Sequence, residues 1–156
     1  MFVTQTNILQ PSELQYLIEM ADFEINNFLC PDVSLYQSYN YMHEKYGHDW
    51  VFNKLISKVL KLSSVVVDVP VAIKSCWFNI CRQDSKFEWH NHRGIRATGV
   101  YYLNGCGDNG TILLINNTKI QIVAEDNAVV FFDPNLTHKI PPWRGVDRYT
   151  VAFDLV

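Results

Sequence analysis

Three histidines in this sequence are spaced so that they could bind one metal ion. The segment Trp-His-Asn-His at 89–92 is interpreted as a strand, in which alternate side chains face the same way, so His90 and His92 share a side. His138 follows the apolar run 129–132, and in an antiparallel jelly roll such a strand can lie beside one distant in sequence. Three ligands on one face leave the opposite face open, as non-heme iron requires for substrate and oxygen.

The type of ligand alone does not select the metal, because imidazole also suits zinc, copper and nickel. An alternative is that these histidines only satisfy buried polar groups, which is the usual explanation of a single histidine. An His-x-His pair together with a distant histidine after an apolar strand favours the metal site.

Arg148 is the candidate for binding an acid. It begins the last expected strand, and Thr150 points to the same side. A guanidinium at the end of a closed pocket can bind a carboxylate through two hydrogen bonds, and a threonine hydroxyl can add another. Thr98 and Tyr102 share a face of an earlier strand and could also donate to a bound acid. The alternatives are an ion pair between Arg148 and Asp147, and ordinary strand content for Thr98 and Tyr102.

The secondary-structure elements that would position these residues are predicted to be helices in the first part of the chain and strands in the rest. Pro11 is well placed to start a helix, and a second helix is predicted over about 49–62, with lysines on the face opposite its apolar residues. The stretch 30–47 between them is predicted to be an irregular, tyrosine-rich loop. Strands are predicted near residues 73–82, 89–92, 96–104, 111–115, 119–123, 128–132 and 148–155.

This order of elements predicts a single domain over 1–156, mainly β with N-terminal helices. Many short strands with turn signals favour a sandwich or jelly roll over a parallel sheet, and Asn116-Asn117 is a plausible hairpin turn. Residues 1–70 are expected to form a helical cover, and residues 71–156 a double-stranded β-helix core of the cupin-like kind.

Composition narrows the classes of protein. Hydrophobic residues make up 48% of the 156 residues, enough for a core, and the net charge of -3 without a basic stripe gives no support for nucleic-acid binding. No signal peptide or run of about 20 apolar residues is evident, so we expect a cytoplasmic protein without membrane contact. Its four cysteines, which include Cys30 and Cys106, form no C-x-x-C pair and are expected to be reduced.

The order of these motifs resembles that of the Fe(II)/2-oxoglutarate dioxygenase superfamily, over about residues 75–155. His-x-His is followed by Arg96-x-Thr98, by Val-Tyr-Tyr-Leu-Asn at 100–104, by Val-Phe-Phe and His138, and by Arg-Tyr-Thr at 148–150. The Tyr-Tyr-Leu-Asn strand and the ending resemble prolyl hydroxylases. The short chain and the His-x-His resemble a less characterised, often phage-encoded group of such oxygenases.

The resemblance implies a double-stranded β-helix and a role for each matching residue. His90 and His138 match the two iron-binding histidines, and His92 stands where most members place an iron-binding Asp or Glu. Arg148 matches the basic residue that pairs with the far carboxylate of 2-oxoglutarate. The positions that line the co-substrate pocket are matched by Thr98, Tyr102 and Thr150.

His92 is a departure that leaves the site one negative charge short, since imidazole is neutral. Glu88 is a minor candidate for an outer partner or substitute ligand. Trp77 and Asn79 share a strand face and are candidates for the pocket wall, although core packing would explain them equally well. A tyrosine that prolyl hydroxylases carry before this region is not evident, because Ile80 and Cys81 stand there.

The resemblance implies an enzyme that binds Fe(II), uses 2-oxoglutarate and O2, and hydroxylates a C–H bond with release of succinate and CO2. Its substrate is expected to be a protein, a peptide or a small molecule. Two alternatives stay open at this point. One is a three-histidine cupin-type metalloenzyme that does not use 2-oxoglutarate, and the other is a metal- or ligand-binding module without turnover.

Overall fold

The structure, a computed structural model, describes residues 2–28, 36–105, 107 and 110–156. The helices in this part of the chain are α1 (Pro11–Phe28), α2 (Met42–Lys45) and α3 (Trp50–Leu62), followed by a 3-10 turn at Ser63–Val65. The strands are β1 (Phe2–Thr6), β2 (Tyr36–Gln37), β3 (Ile73–Cys81), β4 (Phe87–His90), β5 (Ala97–Tyr102), β6 (Ile112–Ile115), β7 (Thr118–Gln121), β8 (Ala128–Phe132), β9 (His138–Ile140) and β10 (Arg148–Leu155).

The strands form two antiparallel sheets, and the chain is a jelly roll as the sequence predicts. The larger sheet has the order β1-β8-β5-β10-β3-β2, and the smaller sheet has the order β4-β9-β6-β7. Neighbours such as β5 and β10 are far apart in sequence, which is how this topology brings distant residues to one site. The β6–β7 hairpin turns at Asn116 and Asn117, whose positive φ angles of 49° and 62° asparagine tolerates.

The central strand β10 shows how the larger sheet separates its two faces. Its residues alternate, so that Val151, Phe153 and Leu155 belong to the core packed under the helices. Arg148, Thr150, Ala152 and Asp154 occupy the opposite face, where Ala152 lines a cavity together with the three candidate histidines. The site therefore lies on the face of the sheet away from the helices.

Helices α1 and α3 cover the other face of the larger sheet. Leu17 and Ala21 of α1 and Phe52 and Leu55 of α3 are fully buried in the same apolar cluster as Phe78 of β3. Burying one such side chain contributes roughly 1.5–3 kcal/mol, so this layer stabilises the sheet that holds the site. The N-terminus of α3 is capped by Asp49, whose carboxylate accepts a hydrogen bond from the Phe52 amide at 2.8 Å.

Three strands and the helix α2 were not anticipated from the sequence, and both β2 and α2 lie in the stretch 30–47 that was predicted to be an irregular loop. β1 pairs with β8, β2 pairs with β3, and the short β9 pairs with both β4 and β6. Two of these strands lie in the first 70 residues, so the larger sheet uses residues from both sides of the expected division at residue 70. That division itself stays a prediction.

Two of the four cysteines lie in the described part of the chain. Cys76 and Cys81 are free and buried, whereas Cys30 and Cys106 lie outside the described residues. Burial raises the pKa of both described thiols, which keeps them in the unreactive protonated form.

None of the helices in the described part of the chain has the length and apolar character needed to span a membrane.

Candidate metal centre

The three histidines come together at the interface of β4 and β9. His90 and His138 are directly paired across these two strands. His92 lies beyond the end of β4, and its backbone amide donates to the Pro134 carbonyl at 2.8 Å. Each histidine offers one ring nitrogen, and these nitrogens all lie within 4.8 Å of one another. The expectation that the imidazoles converge is therefore confirmed in its geometry, although strand alternation is not what places His92.

Each imidazole is oriented by a hydrogen bond at its Nδ1 atom. His90 Nδ1 lies 2.8 Å from the Glu88 carbonyl, and His138 Nδ1 lies 3.0 Å from the Leu136 carbonyl. His92 Nδ1 lies 2.9 Å from a carboxylate oxygen of Asp154. Because carbonyl and carboxylate oxygens only accept, Nδ1 is the donor in each ring, and in the neutral form of the ring Nε2 keeps its lone pair for a metal. The donor set therefore fits a divalent transition metal.

Burial also favours the metal-binding form of these rings. It lowers the pKa of His138 to about 4, and it lowers the pKa of His90 as well. The neighbouring histidines lower both pKa values further, whereas the hydrogen bonds to Leu136 and Glu88 oppose the shift. Neutral imidazole is the form that binds metal, so both rings are ready to bind at neutral pH.

A cavity of about 230 Å³ opens beside the histidines. Aromatic rings fix the imidazoles in its wall: Trp77 is stacked parallel to His92, with the ring centroids 6.2 Å apart, and Phe87 meets His90 edge-on at 4.3 Å. Trp77 and Asn79 both line the cavity, as proposed from their strand face. The complete lining comprises Gln37, Trp77, Asn79, Phe87, His90, His92, Thr98, Gly99, Val100, Thr111, Phe132, His138, Ile140 and Ala152.

Arg148 is 1% exposed and is not among the residues that line this cavity, whereas the sequence leads us to expect it at the end of the pocket. Its guanidinium carbon is 4.4 Å from the Trp143 ring centroid and 5.6 Å from the Tyr102 ring centroid, and Nη2 donates to the Cys81 sulfur at 3.4 Å. A charge held between aromatic faces in a dry setting can form strong hydrogen bonds to a carboxylate. Sequence reasoning missed Trp143, which follows two prolines and had no strand pattern to mark it.

Thr150 and Tyr102 connect the region of Arg148 to the cavity wall. Thr150 Oγ1 accepts a hydrogen bond from Asn79 Nδ2 at 3.4 Å, and the Tyr102 hydroxyl is 3.2 Å from Thr111 Oγ1. Both Asn79 and Thr111 line the cavity. Asn79 Oδ1 is buried and has no hydrogen-bond partner among the described residues. Thr150 and Tyr102 thus contact residues of the cavity wall without lining the cavity themselves, and the role of these residues in binding a co-substrate stays a prediction.

Thr98 has a more specific position than the sequence indicated. It lines the cavity, but its hydroxyl is 2.9 Å from the Asp154 carboxylate and 3.1 Å from the Phe153 carbonyl. The hydroxyl donates to this pair of acceptors on β10. A contact between Thr98 and a co-substrate stays a prediction, and the observed bond links Thr98 to the carboxylate that orients His92.

Asp154, not Glu88, is the carboxylate next to the histidines. The Glu88 carboxylate is mostly exposed and pairs with Lys86 at 3.2 Å, so only the Glu88 backbone carbonyl contacts a histidine. Sequence reasoning missed Asp154, although a signal was present. Its separation from Arg148 and Thr150 is even, which puts all three on one face of the last strand.

Comparison with known proteins identifies the fold. No family model and no curated protein matches the chain. Among solved structures, HygX from Streptomyces hygroscopicus with nickel and 2-oxoglutarate bound superimposes with a TM-score of 0.77 at 12% identity, over 99% of this chain and 82% of that one. The non-heme alpha-ketoglutarate-dependent epimerase SnoN from nogalamycin biosynthesis has a TM-score of 0.81 at 8% identity, over 99% and 77%.

A prolyl hydroxylase shares the architecture as well. The viral collagen prolyl hydroxylase of Paramecium bursaria Chlorella virus-1, solved as its 2-oxoglutarate complex, superimposes with a TM-score of 0.68 at 14% identity, over 99% of this chain and 94% of that one. At these identities the similarity is one of fold. The chain has the jelly-roll fold of the 2-oxoglutarate-dependent oxygenases, as expected from its motifs.

Proposed function

We propose that this protein is an Fe(II)- and 2-oxoglutarate-dependent oxygenase that hydroxylates a C–H bond of its substrate. The observation that carries the proposal is the set of three imidazoles that line one cavity, offer ring nitrogens within 4.8 Å of one another and have their Nδ1 atoms hydrogen-bonded, so that Nε2 is the atom left to bind a metal. His90, His92 and His138 would hold the iron. Iron and 2-oxoglutarate together supply the oxidation, in which O2 is consumed, 2-oxoglutarate becomes succinate and CO2, and one oxygen atom enters the substrate.

Arg148 would anchor the far carboxylate of 2-oxoglutarate. Two features support this role: the guanidinium is buried between Trp143 and Tyr102, and Thr150 beside it is linked through Asn79 to the cavity. A guanidinium binds a carboxylate through two parallel hydrogen bonds, so it would fix both the position and the direction of the co-substrate. Tyr102 and Thr150 would add neutral hydrogen bonds.

The apolar part of the cavity wall would keep water away from the reacting groups. Phe87, Phe132, Val100 and Ile140 line the cavity beside the histidines. Excluding water strengthens the charge interactions of a bound acid and limits side reactions. The histidines and these apolar residues line the same cavity, in which a substrate would bind.

A second candidate function is that of a three-histidine cupin-type oxygenase acting directly on a chelating substrate. The observation that favours it is the donor set itself, which contains three nitrogen atoms and no directly placed carboxylate. In that case Arg148 would anchor the substrate. Formation of succinate in step with O2 consumption distinguishes the two candidates.

The substrate is proposed to be a protein, a peptide or a small molecule, and the chain to act in the cytoplasm without nucleic acid or membrane as partner. The neighbours support a broad choice of substrate and reaction, since one is described as a collagen prolyl hydroxylase and another as an epimerase. A fold of this kind hosts many activities, so specificity depends on the residues around the cavity mouth.

The decisive experiment is anaerobic titration of the protein with Fe(II) and 2-oxoglutarate while the metal-to-ligand charge-transfer absorption is recorded. We expect the band to form in the wild-type protein and to be lost in His138→Ala. His48→Ala is the matched control, because His48 is exposed and distant in sequence from the site. The absence of the band in the wild-type protein, with iron bound, would reject 2-oxoglutarate as co-substrate and favour the second candidate.

A further inference from the structure

We infer that Asp154 is a positioning residue of the metal centre, which orients His92 and supplies the negative charge that the three histidines lack. This inference rests on the metal-binding part of the proposed function. It does not depend on which co-substrate or substrate the protein uses.

The Asp154 carboxylate contacts two side chains, one of which is the imidazole that it orients and the other the hydroxyl that holds it in place. One carboxylate oxygen, Oδ1, lies 2.9 Å from His92 Nδ1 and 2.9 Å from Thr98 Oγ1. Asp154 and Thr98 face each other across β10 and β5, so the backbone register itself fixes this contact. The hydroxyl of Thr98 thus holds the carboxylate in place on the sheet, and the carboxylate in turn holds the imidazole.

Burial makes this contact matter more than a surface ion pair would. The side chains of His92 and Asp154 are 16% and 14% exposed, so water screens their interaction only partly. Trp77, stacked on His92, shields the other side of the ring. In such a setting a carboxylate that accepts a hydrogen bond from Nδ1 raises the electron density at Nε2. It also fixes the direction of the Nε2 lone pair.

Asp154 differs from the corresponding partners of the other two histidines. His90 and His138 donate to backbone carbonyls, which are neutral. His92 alone of the three donates to a carboxylate. The charged partner is therefore found on the histidine that stands where the resemblance places an iron-binding Asp or Glu.

The charge balance explains why this matters for the metal. A divalent ion held by three neutral imidazoles keeps its full double charge, whereas one directly bound carboxylate would remove one unit of it. Asp154, one hydrogen bond away, would remove the same unit from the site as a whole. Outer partners of this kind commonly change metal affinity roughly 10- to 100-fold.

The test separates charge from shape by the substitution Asp154→Asn. Asparagine keeps an oxygen that can accept from His92 and Thr98, but it has no charge. The affinity of the metal-free protein for Fe(II) alone is measured anaerobically by competition with a chromophoric chelator. We expect Asp154→Asn to weaken binding roughly 10- to 100-fold. Glu125→Gln, which removes a charge from an exposed carboxylate with no contact to the histidines, should leave the affinity unchanged.

A second variant pair distinguishes this role from a purely structural one. His92→Asp moves the negative charge into the metal's own shell, where it would face Asp154. In that background, Asp154→Asn removes a like-charge repulsion and should not weaken Fe(II) binding, although it weakens binding in the wild-type background. A structural role would make the substitution harmful in both backgrounds, so the interaction energy of this double-mutant cycle decides between them.

The energy of the charge-transfer band is a further measurement, and a change in protein stability alone would not shift it. If Asp154→Asn still binds Fe(II) and 2-oxoglutarate, its charge-transfer band should shift to higher energy, because the less compensated metal holds its electrons more tightly. Equal affinity and an unshifted band in wild-type protein and Asp154→Asn would overturn the inference and leave the proposed function standing. Failure of the wild-type protein to bind Fe(II) at all would instead reject the metal centre itself.

Discussion

His90 lies directly opposite His138 across β4 and β9, with the two ring centroids 4.2 Å apart. Both strands belong to the smaller sheet, whereas Asp154, the partner of His92, belongs to the larger one. A metal bound by the three histidines would therefore be connected to the larger sheet through His92 and Asp154. Its binding should be measurable as a change in the stability of the whole fold.

Metal binding is expected to raise the free energy of unfolding. A ligand that binds only the folded state stabilises it by about 2.7 kcal/mol at a free concentration of 100 times its dissociation constant. Adding Ni²⁺ or anaerobic Fe(II) should raise the midpoint of thermal unfolding of the wild-type protein and of His48→Ala. The midpoint of His138→Ala should respond much less, and an equal response in all three proteins would contradict the site.

Arg148→Gln is expected to weaken binding of 2-oxoglutarate by at least about tenfold, because a charged hydrogen bond contributes roughly 1.5–3 kcal/mol. Affinity for Fe(II) should stay close to that of the wild-type protein. Arg82→Gln is the matched control, since Arg82 is a nearby arginine that is 30% exposed and pairs with Asp147 at 3.4 Å. The dissociation constants come from titrating 2-oxoglutarate into the iron-loaded protein. Equal constants for both variants would remove Arg148 from the co-substrate site.

Asn79→Leu is expected to weaken ligand binding without destabilising the metal-free protein. Asn79 Oδ1 is buried without a hydrogen-bond partner among the described residues, which costs stability in the ligand-free protein. Leucine has a similar size and no polar atoms, so the midpoint of unfolding of the metal-free protein should not fall. Affinity for 2-oxoglutarate should fall, because the Nδ2 donor that positions Thr150 is lost. A large drop in both quantities would point to a packing role instead.

The sequence predicted the main elements and the residues that meet, but not how they are held. Pro11 did begin α1, the second helix differed by one residue at its start, and residues of the last strand alternated as expected. β9 was missed because only three residues form it, in a proline-rich stretch where pairing with β4 and β6 outweighs local preference.

The outer contacts of the site were harder to anticipate for a physical reason. Asp154 and His92 are far apart in sequence, and their contact depends on the register of β10 against β5 and on where β4 ends. The alternation of side chains along a strand identifies which face a residue occupies, but it does not identify the residue that it contacts on another strand. The same limit explains why Glu88, close to His90 in sequence, was considered before Asp154.

Gly99→Ala is expected to destabilise the fold by about 1–3 kcal/mol, since an added methyl group overpacks the sheet. A Cβ atom at this position would lie 2.6 Å from the ring of Phe153 and 2.8 Å from the Val130 carbonyl. Chemical denaturation of the metal-free protein measures the loss. In the Phe153→Leu background the same substitution should cost less, because the smaller side chain relieves part of the clash. An unchanged cost would mean that the backbone carbonyl dominates.

Glu13 is expected to make the stability of the N-terminal layer depend on acid. The Gln10 amide, at 2.8 Å, and Lys54 hold its pKa below the ordinary value, so the carboxylate stabilises the folded state above the unfolded-state pKa of about 4.3. This stabilisation is lost as the pH falls through the lowered pKa. Glu13→Gln should be less stable than wild type at neutral pH, and the difference should shrink below about pH 4. Denaturation midpoints across this range test it, with exposed Glu19→Gln as the control.

β1 also has a bearing on how the protein behaves in concentrated solution. Its five residues pair along the whole of β8, whose own residues are all buried. Without β1, the apolar strand β8 would lie at the edge of the sheet with unpaired backbone amides and carbonyls. Strands of other molecules can pair with such an edge, which leads to aggregation. With β1 in place, the edge of the larger sheet carries the polar residues Thr4, Gln5 and Thr6 instead of an all-apolar strand, which makes strand addition by a second molecule less favourable there.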